Sequence, residues 1–110
     1  MLKCYRDEHG YRRAIDELHV NIGGYFEEDV QDSVPVCAEL FGAIEKVARG
    51  EVAEFTAVGN AYEIIIKSKM VTIENLYDET LGVACLSIEW FKVDLSQWLA
   101  FVTSAEGKDP

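Results

Sequence analysis

Apolar residues recur along this chain with the periods of both strands and helices. In "LKCYRDEHGYRRAID" two short mixed runs flank Asp7 to Gly10, a polar stretch ending in a glycine that can take positive φ. That pattern predicts a β-hairpin. "LHVNI" alternates Leu18, Val20 and Ile22 with His19 and Asn21, the period of a half-buried strand, and Gly23–Gly24 would end it. Val30, Val34, Cys37, Phe41, Ile44 and Ala48 then follow at intervals of four and three, one stripe of a helix. The stripe predicts a helix from Phe26 to Arg49, kinked or loosened at Pro35. The alternative is a break at the proline, with Ser33 capping a second helix. Gly50 is a stop signal.

Short runs rich in Ile, Val, Thr and Tyr come next: "VAEFTAV", "AYEIIIK", "MVTIENLY" and "GVACLS". Gly59–Asn60 and "KSK" separate the first three, as in an antiparallel meander. A last helix starts at Ser87, a good N-cap, with Glu89 in the first turn. Its stripe is Ile88, Phe91, Leu95, Trp98 and Val102, and "SAEGKDP" is a polar tail. The pattern predicts an α+β fold. A hairpin and strand plus a three- to four-strand antiparallel meander would pack with two amphipathic helices. There is no repeat or linker, and residues 1–110 read as one domain.

Composition narrows the function classes. The chain is 49% hydrophobic, too apolar for disorder. It has no apolar run long enough to span a bilayer, and its charged start lacks a signal-peptide core. Three widely spaced cysteines, Cys4, Cys37 and Cys85, suit reduced thiols in a cytoplasm better than a disulfide framework. The net charge of −10 opposes binding to nucleic acid or anionic membranes and favours basic proteins. The acidity is uneven. Residues 1–25 hold four acids and four bases, whereas residues 26–50 and 51–82 each hold six acids and two bases.

Catalytic and metal chemistry find little support. His9 and His19 have no ligand partner at zinc spacing. Glu27, Glu28, Asp29 and Asp32 lack the alternation and central glycine of a calcium loop. No nucleophile motif is present. A phosphate at Gly23–Gly24 would meet the carboxylates of the next turn. A carboxylate-pair enzyme needs two carboxyls across a cleft, which a chain this short rarely builds. Neither a cofactor nor a metal is expected.

Carboxylates at a helix N-terminus stabilise the macrodipole by about 0.3–1 kcal/mol each, which is one account of Glu27, Glu28 and Asp29. It leaves Glu28, Asp32 and Glu39 on the polar face with Lys46 alone to balance them, and Glu28 and Asp32 repel at i,i+4. An acidic docking face is the other account. Its candidates are Tyr25, Glu27, Glu28, Asp32 and Glu39, with Asp78 and Glu79 in "NLYDETLG" second. Trp90, Tyr25 and Tyr77 are possible interface anchors, and packing at the edge of the core is the plainer reading of each.

"YRDEHGYRRAIDELHVNIGGYFEEDVQDSV", "AIEKVARGE", "VGNAYEIII" and "VTIENLYDE … LSIEWFKVDLSQWLAF" resemble the small acidic immunity proteins of bacterial contact-dependent inhibition systems, the CdiI type. They are also similar to the YacL-like proteins, through R-D-turn-Gly, G-x-[YW]-F-x-E and Gly-x-x-Tyr. Pro35 departs from the long helix of that pattern. The resemblance implies a cytoplasmic, non-enzymatic inhibitor of a cognate CdiA-type C-terminal toxin domain, typically a basic nuclease acting on tRNA or other RNA. Its second implication is a housekeeping protein-binding module of YacL type.

Overall fold

The computed structural model describes residues 1–107. The fold is α+β, with two antiparallel sheets and three α-helices. Strands β1 (Leu2–Arg6) and β2 (Arg12–Asp16) form the predicted hairpin. Asp7 closes its turn: the Asp7 carboxylate accepts the backbone N–H of His9 and Tyr11, and Gly10 takes φ +82°.

Residues 18–22 do not form the expected strand. His19 caps helix α1 (Val20–Tyr25) through Nδ1, which accepts the Asn21 N–H at 3.0 Å. Only Ile22 of the three alternating apolar residues is buried; Leu18 and Val20 are exposed. Gly23–Gly24 is no terminator either. The two glycines lie inside α1, where Gly23 packs on the Ala14 carbonyl and Gly24 on the Tyr62 hydroxyl, so close that no Cβ fits. Their smallness lets α1 lie flat on the hairpin and on the large sheet.

The helix runs on through one π-helical turn, Phe26–Val30, closed by the Gln31 N–H on the Phe26 carbonyl. Gln31 at φ 55° then breaks the helix. The expected continuous helix from Phe26 to Arg49 is therefore two pieces. Ser33 caps α2 (Val34–Ala48) by accepting the Val36 N–H, and Pro35 sits in its first turn, where a missing N–H costs nothing. The buried face of α2 is Cys37, Leu40, Ala43, Ile44 and Val47; Val34 and Ala48 of the predicted stripe are exposed.

The meander forms as predicted: β3 (Glu54–Val58), β4 (Tyr62–Lys67), β5 (Met70–Asn75) and β6 (Val83–Ser87), antiparallel and in sequence order. A 3₁₀ turn at Glu79–Leu81 joins β5 to β6. Helix α3 (Ile88–Thr103) starts at Ser87 and buries all five residues of its stripe. After it the chain turns back, and the Gly107 carbonyl accepts from Arg6 and Arg12.

All three helices pack against one face of the four-stranded sheet, and the hairpin packs against α1 and α3. Ile64, Ile66, Val71, Ile73, Ala84 and Leu86 point into the shared core. Above them lies an aromatic cluster in which Phe26 stacks on Phe91 at 5.9 Å and contacts Trp98 at 5.9 Å. Burying each such ring stabilises by about 1.5–3 kcal/mol.

Gly23→Ala should lower the unfolding free energy in urea by roughly 3 kcal/mol, because the added methyl meets backbone that cannot swing away. Gly42→Ala, inside α2 with open space around its Cα, should raise it by about 0.5–1 kcal/mol. Equal effects at the two positions would contradict the close packing of α1 on the hairpin.

Candidate functional site

The four carboxylates of "FEEDVQD" have separate fates. Glu27 Oε2 accepts the Ala14 N–H at 2.7 Å, on the strand edge β2 turns away from β1, and Oε1 accepts Arg13 Nη1 at 3.0 Å. Arg13 also donates through Nε to Asp7 at 2.9 Å. Asp29 accepts the Ala61 and Tyr62 N–H groups at 2.9 and 3.0 Å, holding the β3–β4 turn against the helical segment. Gly59 lies against that carboxylate, where a side chain would overlap it. Burial raises the Asp29 pKa, against the lowering effect of those backbone donors. Asp32 is exposed and lies 3.7 Å from Arg12 Nη2. Glu28 alone is exposed without a basic neighbour among the described residues.

The expected docking face on this segment is thus corrected in two places. Glu27 is an internal fastener. Tyr25, 4% exposed, is packed edge-on against Phe26 and Tyr62, and burial pushes its hydroxyl pKa up. Tyr25 does come together with exposed Glu39 and with Asp29, along a groove of about 180 Å³ between α2 and β3. Asp78 and Glu79 stand exposed in the 3₁₀ turn at the far end of β5, with Asp78 capping the Thr80 N–H. Trp90 is half-buried, and Tyr77 is 81% exposed.

The arginines serve the fold, whereas Lys3, Lys46, Lys67, Lys69 and Lys92 are exposed. All four arginines are bonded within the chain. Arg6 donates to the Gly10, Glu106 and Gly107 carbonyls, and Arg12 donates to Gly107 and faces Asp32. Arg13 joins Asp7 to Glu27, and Arg49 pairs with Glu45 and Glu51.

Among the described residues, no helix covers the outer face of the four-stranded sheet. On it Val58, Glu63, Glu74 and Val83 form one cross-strand row, and Thr56, Ile65, Thr72 and Cys85 the next. Glu63 and Glu74 are directly opposite, a like-charge pair that destabilises a sheet. This surface was not anticipated, although the odd positions of "YEIIIK" and the even positions of "MVTIEN" spell it out once the strands are paired.

A second unanticipated feature is a pair of buried carboxyls. Asp16 at the end of β2 and Asp94 in α3 are 5% and 0% exposed. Asp16 accepts the Leu18 N–H at 2.8 Å and the Trp90 indole N–H at 3.0 Å. As a carboxylate, Asp94 finds no donor for either oxygen. A proton resolves this, because a neutral Asp94 can donate to Asp16. Burial, the hydrogen bond to Asp16 and the Asp16 charge together push the Asp94 pKa up to about 8. Burial alone would raise Asp16 too, but hydrogen bonds from Asp94, Trp90 and the Leu18 amide hold it below the ordinary range. Asp94 lines a pocket of about 300 Å³ with Met1, Trp90 and Val93, yet both its oxygens are sealed from that space. The pair can share a proton and bind the hairpin to α3, but its geometry presents no reactive oxygen to a substrate.

Among the described residues no three of His, Cys, Asp and Glu are placed to share a metal ion, and no helix is long and apolar enough to cross a membrane. Compared with protein-family models, curated proteins and solved structures, the chain finds no match.

Because its folded pKa is raised, Asp94 contributes stability that is full below about pH 4 and declines up to about pH 8. Asp94→Asn removes that decline. Between pH 4 and 8 the variant's unfolding free energy should rise relative to wild type, by at most about 1.4 kcal/mol per pH unit for one proton. Parallel curves from chemical denaturation at several pH values would rule out the shared proton.

Proposed function

We propose that this protein is an immunity protein that binds and neutralises the toxin domain of a contact-dependent inhibition system, a basic nuclease. The observation that carries the reading is the disposition of charge. Every arginine is engaged inside the chain, while Glu28, Glu39, Glu74, Asp78 and Glu79 are exposed with no basic partner among the described residues. Lys3, Lys46, Lys67, Lys69 and Lys92 are exposed as well, so the outward field is the negative one that the net charge of −10 sets.

A nuclease needs a basic groove to hold phosphates, and a rigid acidic protein can occupy or shield it. Long-range attraction speeds the encounter, and apolar contacts then set how long the complex lasts. The resemblance to CdiI-type proteins supports the same reading.

The test is titration of the domain encoded immediately upstream, with its nuclease activity read in parallel. Binding should silence the nuclease, and affinity should fall by about tenfold or more from low to high salt. Reversing Glu28, Asp32 and Glu39 together would measure the share of the helical side. An upstream domain that stays active and unbound would remove the immunity reading and leave the protein-binding module of YacL type.

A further inference from the structure

We infer that the outer face of the four-stranded sheet, at the end marked by Glu63 and Glu74, is the surface on which the basic partner docks. The inference rests on the proposed inhibitory role and assigns it a place.

Strand alternation creates this surface. Tyr62, Ile64 and Ile66 of β4 enter the core, so Glu63, Ile65 and Lys67 must point away from it. The same rule sends Val83 and Cys85 of β6 outward, while Ala84 and Leu86 are buried. Among the described residues no helix packs on this side, and a sheet with one bare face is commonplace. The composition of this one is less ordinary. Val58 and Val83, 63% and 51% exposed, flank the glutamate pair in one row, and Ile65 lies in the adjacent row. Just beyond this end of the sheet follow exposed Tyr77 and the acids Asp78 and Glu79. The sheet's one outward lysine, Lys67, is at the opposite end, paired in register with Glu54.

Charge complementarity selects the occupant. Facing glutamates raise the free energy of the isolated sheet, and a cationic surface laid over them relieves it. A second copy would set the same glutamate row against itself, which disfavours a symmetric dimer here. Nucleic acid would be repelled. A protein surface that presents Lys or Arg around an apolar anchor meets both features of the row, the acids at its centre and the valines at its flanks. The helical side offers less, since Tyr25 is buried, Glu27 is bonded inward and Asp32 faces Arg12.

Cys85 is a native reporter on this face, on the edge strand β6 in the row next to the glutamate pair. It is exposed, whereas Cys37 is buried and Cys4 is half-buried with its thiol pKa pushed up to about 11. Alkylation by iodoacetamide, followed by mass spectrometry, should therefore mark Cys85 first. In the complex with the upstream-encoded domain, Cys85 alkylation should slow by about tenfold or more as solvent is excluded. Glu63→Lys with Glu74→Lys keeps a like-charge pair, hence the fold, and should weaken binding at low salt by about tenfold or more. Glu28→Lys with Glu39→Lys should change it by less than about threefold. Glu63→Gln should raise the Tm while weakening binding, the signature of a charge kept for a partner. A complex that forms but leaves Cys85 reacting at the free rate, or that ignores the Glu63/Glu74 reversal, overturns this placement and leaves the immunity reading intact. Failure of the wild-type protein to bind overturns both.

Discussion

The structure depends on one short helical segment that bonds to everything around it. From His19 to Gln31 the chain touches the hairpin, the meander and the last helix in turn. Asn21 donates to the carbonyls of Ile73 and Gly82. Gly23 packs on Ala14, and Glu27 takes the Ala14 N–H from the same strand. Phe26 fills the centre of the aromatic cluster, Asp29 holds Ala61 and Tyr62, and the Gln31 carbonyl accepts the Trp98 indole at 2.6 Å. The hairpin and the four-stranded sheet share no strand pairing, so this segment joins them. The π turn is the geometric means: one extra residue in the helical ladder lets Glu27 reach one sheet and Asp29 the other.

This junction explains why Glu27 and Asp29 are not free surface charge. Two carboxylates that look like surface charge are hydrogen-bond acceptors for backbone groups at sheet margins, where unpaired N–H groups would otherwise be costly. Arginines do the complementary work around the hairpin and the returning C-terminal turn. The remaining exposed acids lie on both the helical side and the meander. Glu27 and Asp29 thus serve the fold, while Glu28 and Glu39 stand exposed. The Asp16–Asp94 pair is a third use, two acids buried together where the hairpin meets α3.

Periodic patterns were most readable where a single face is buried over several turns or strands. Ile88 to Val102 keeps its stripe because α3 is covered along its whole length, and the meander announces itself through β-branched runs and turn residues. "LHVNI" misleads because apolar residues at i, i+2 and i+4 fit a strand, while its polar members do helical work: His19 caps and Asn21 reaches across to another strand. Gly23–Gly24 reads as a stop in any local rule; close approach of backbones is a tertiary requirement that no neighbouring residue signals. The proline marked a helix start because Ser33 supplied the cap. The buried carboxyl pair was invisible, since Asp16 and Asp94 are 78 positions apart in sequence and ordinary in their local patterns.

Glu27 and Asp29 fasten the two sheets together and are not free surface charge. Amide hydrogen exchange at Ala14, Ala61 and Tyr62 tests this most directly, because their N–H groups point at these carboxylates. Exchange there should be as slow as that of the central β4 and β5 amides, with selective acceleration at Ala14 in Glu27→Ala and at Ala61 and Tyr62 in Asp29→Ala. Exchange in the wild-type protein as fast as that of the exposed Glu51–Ala53 loop would contradict this.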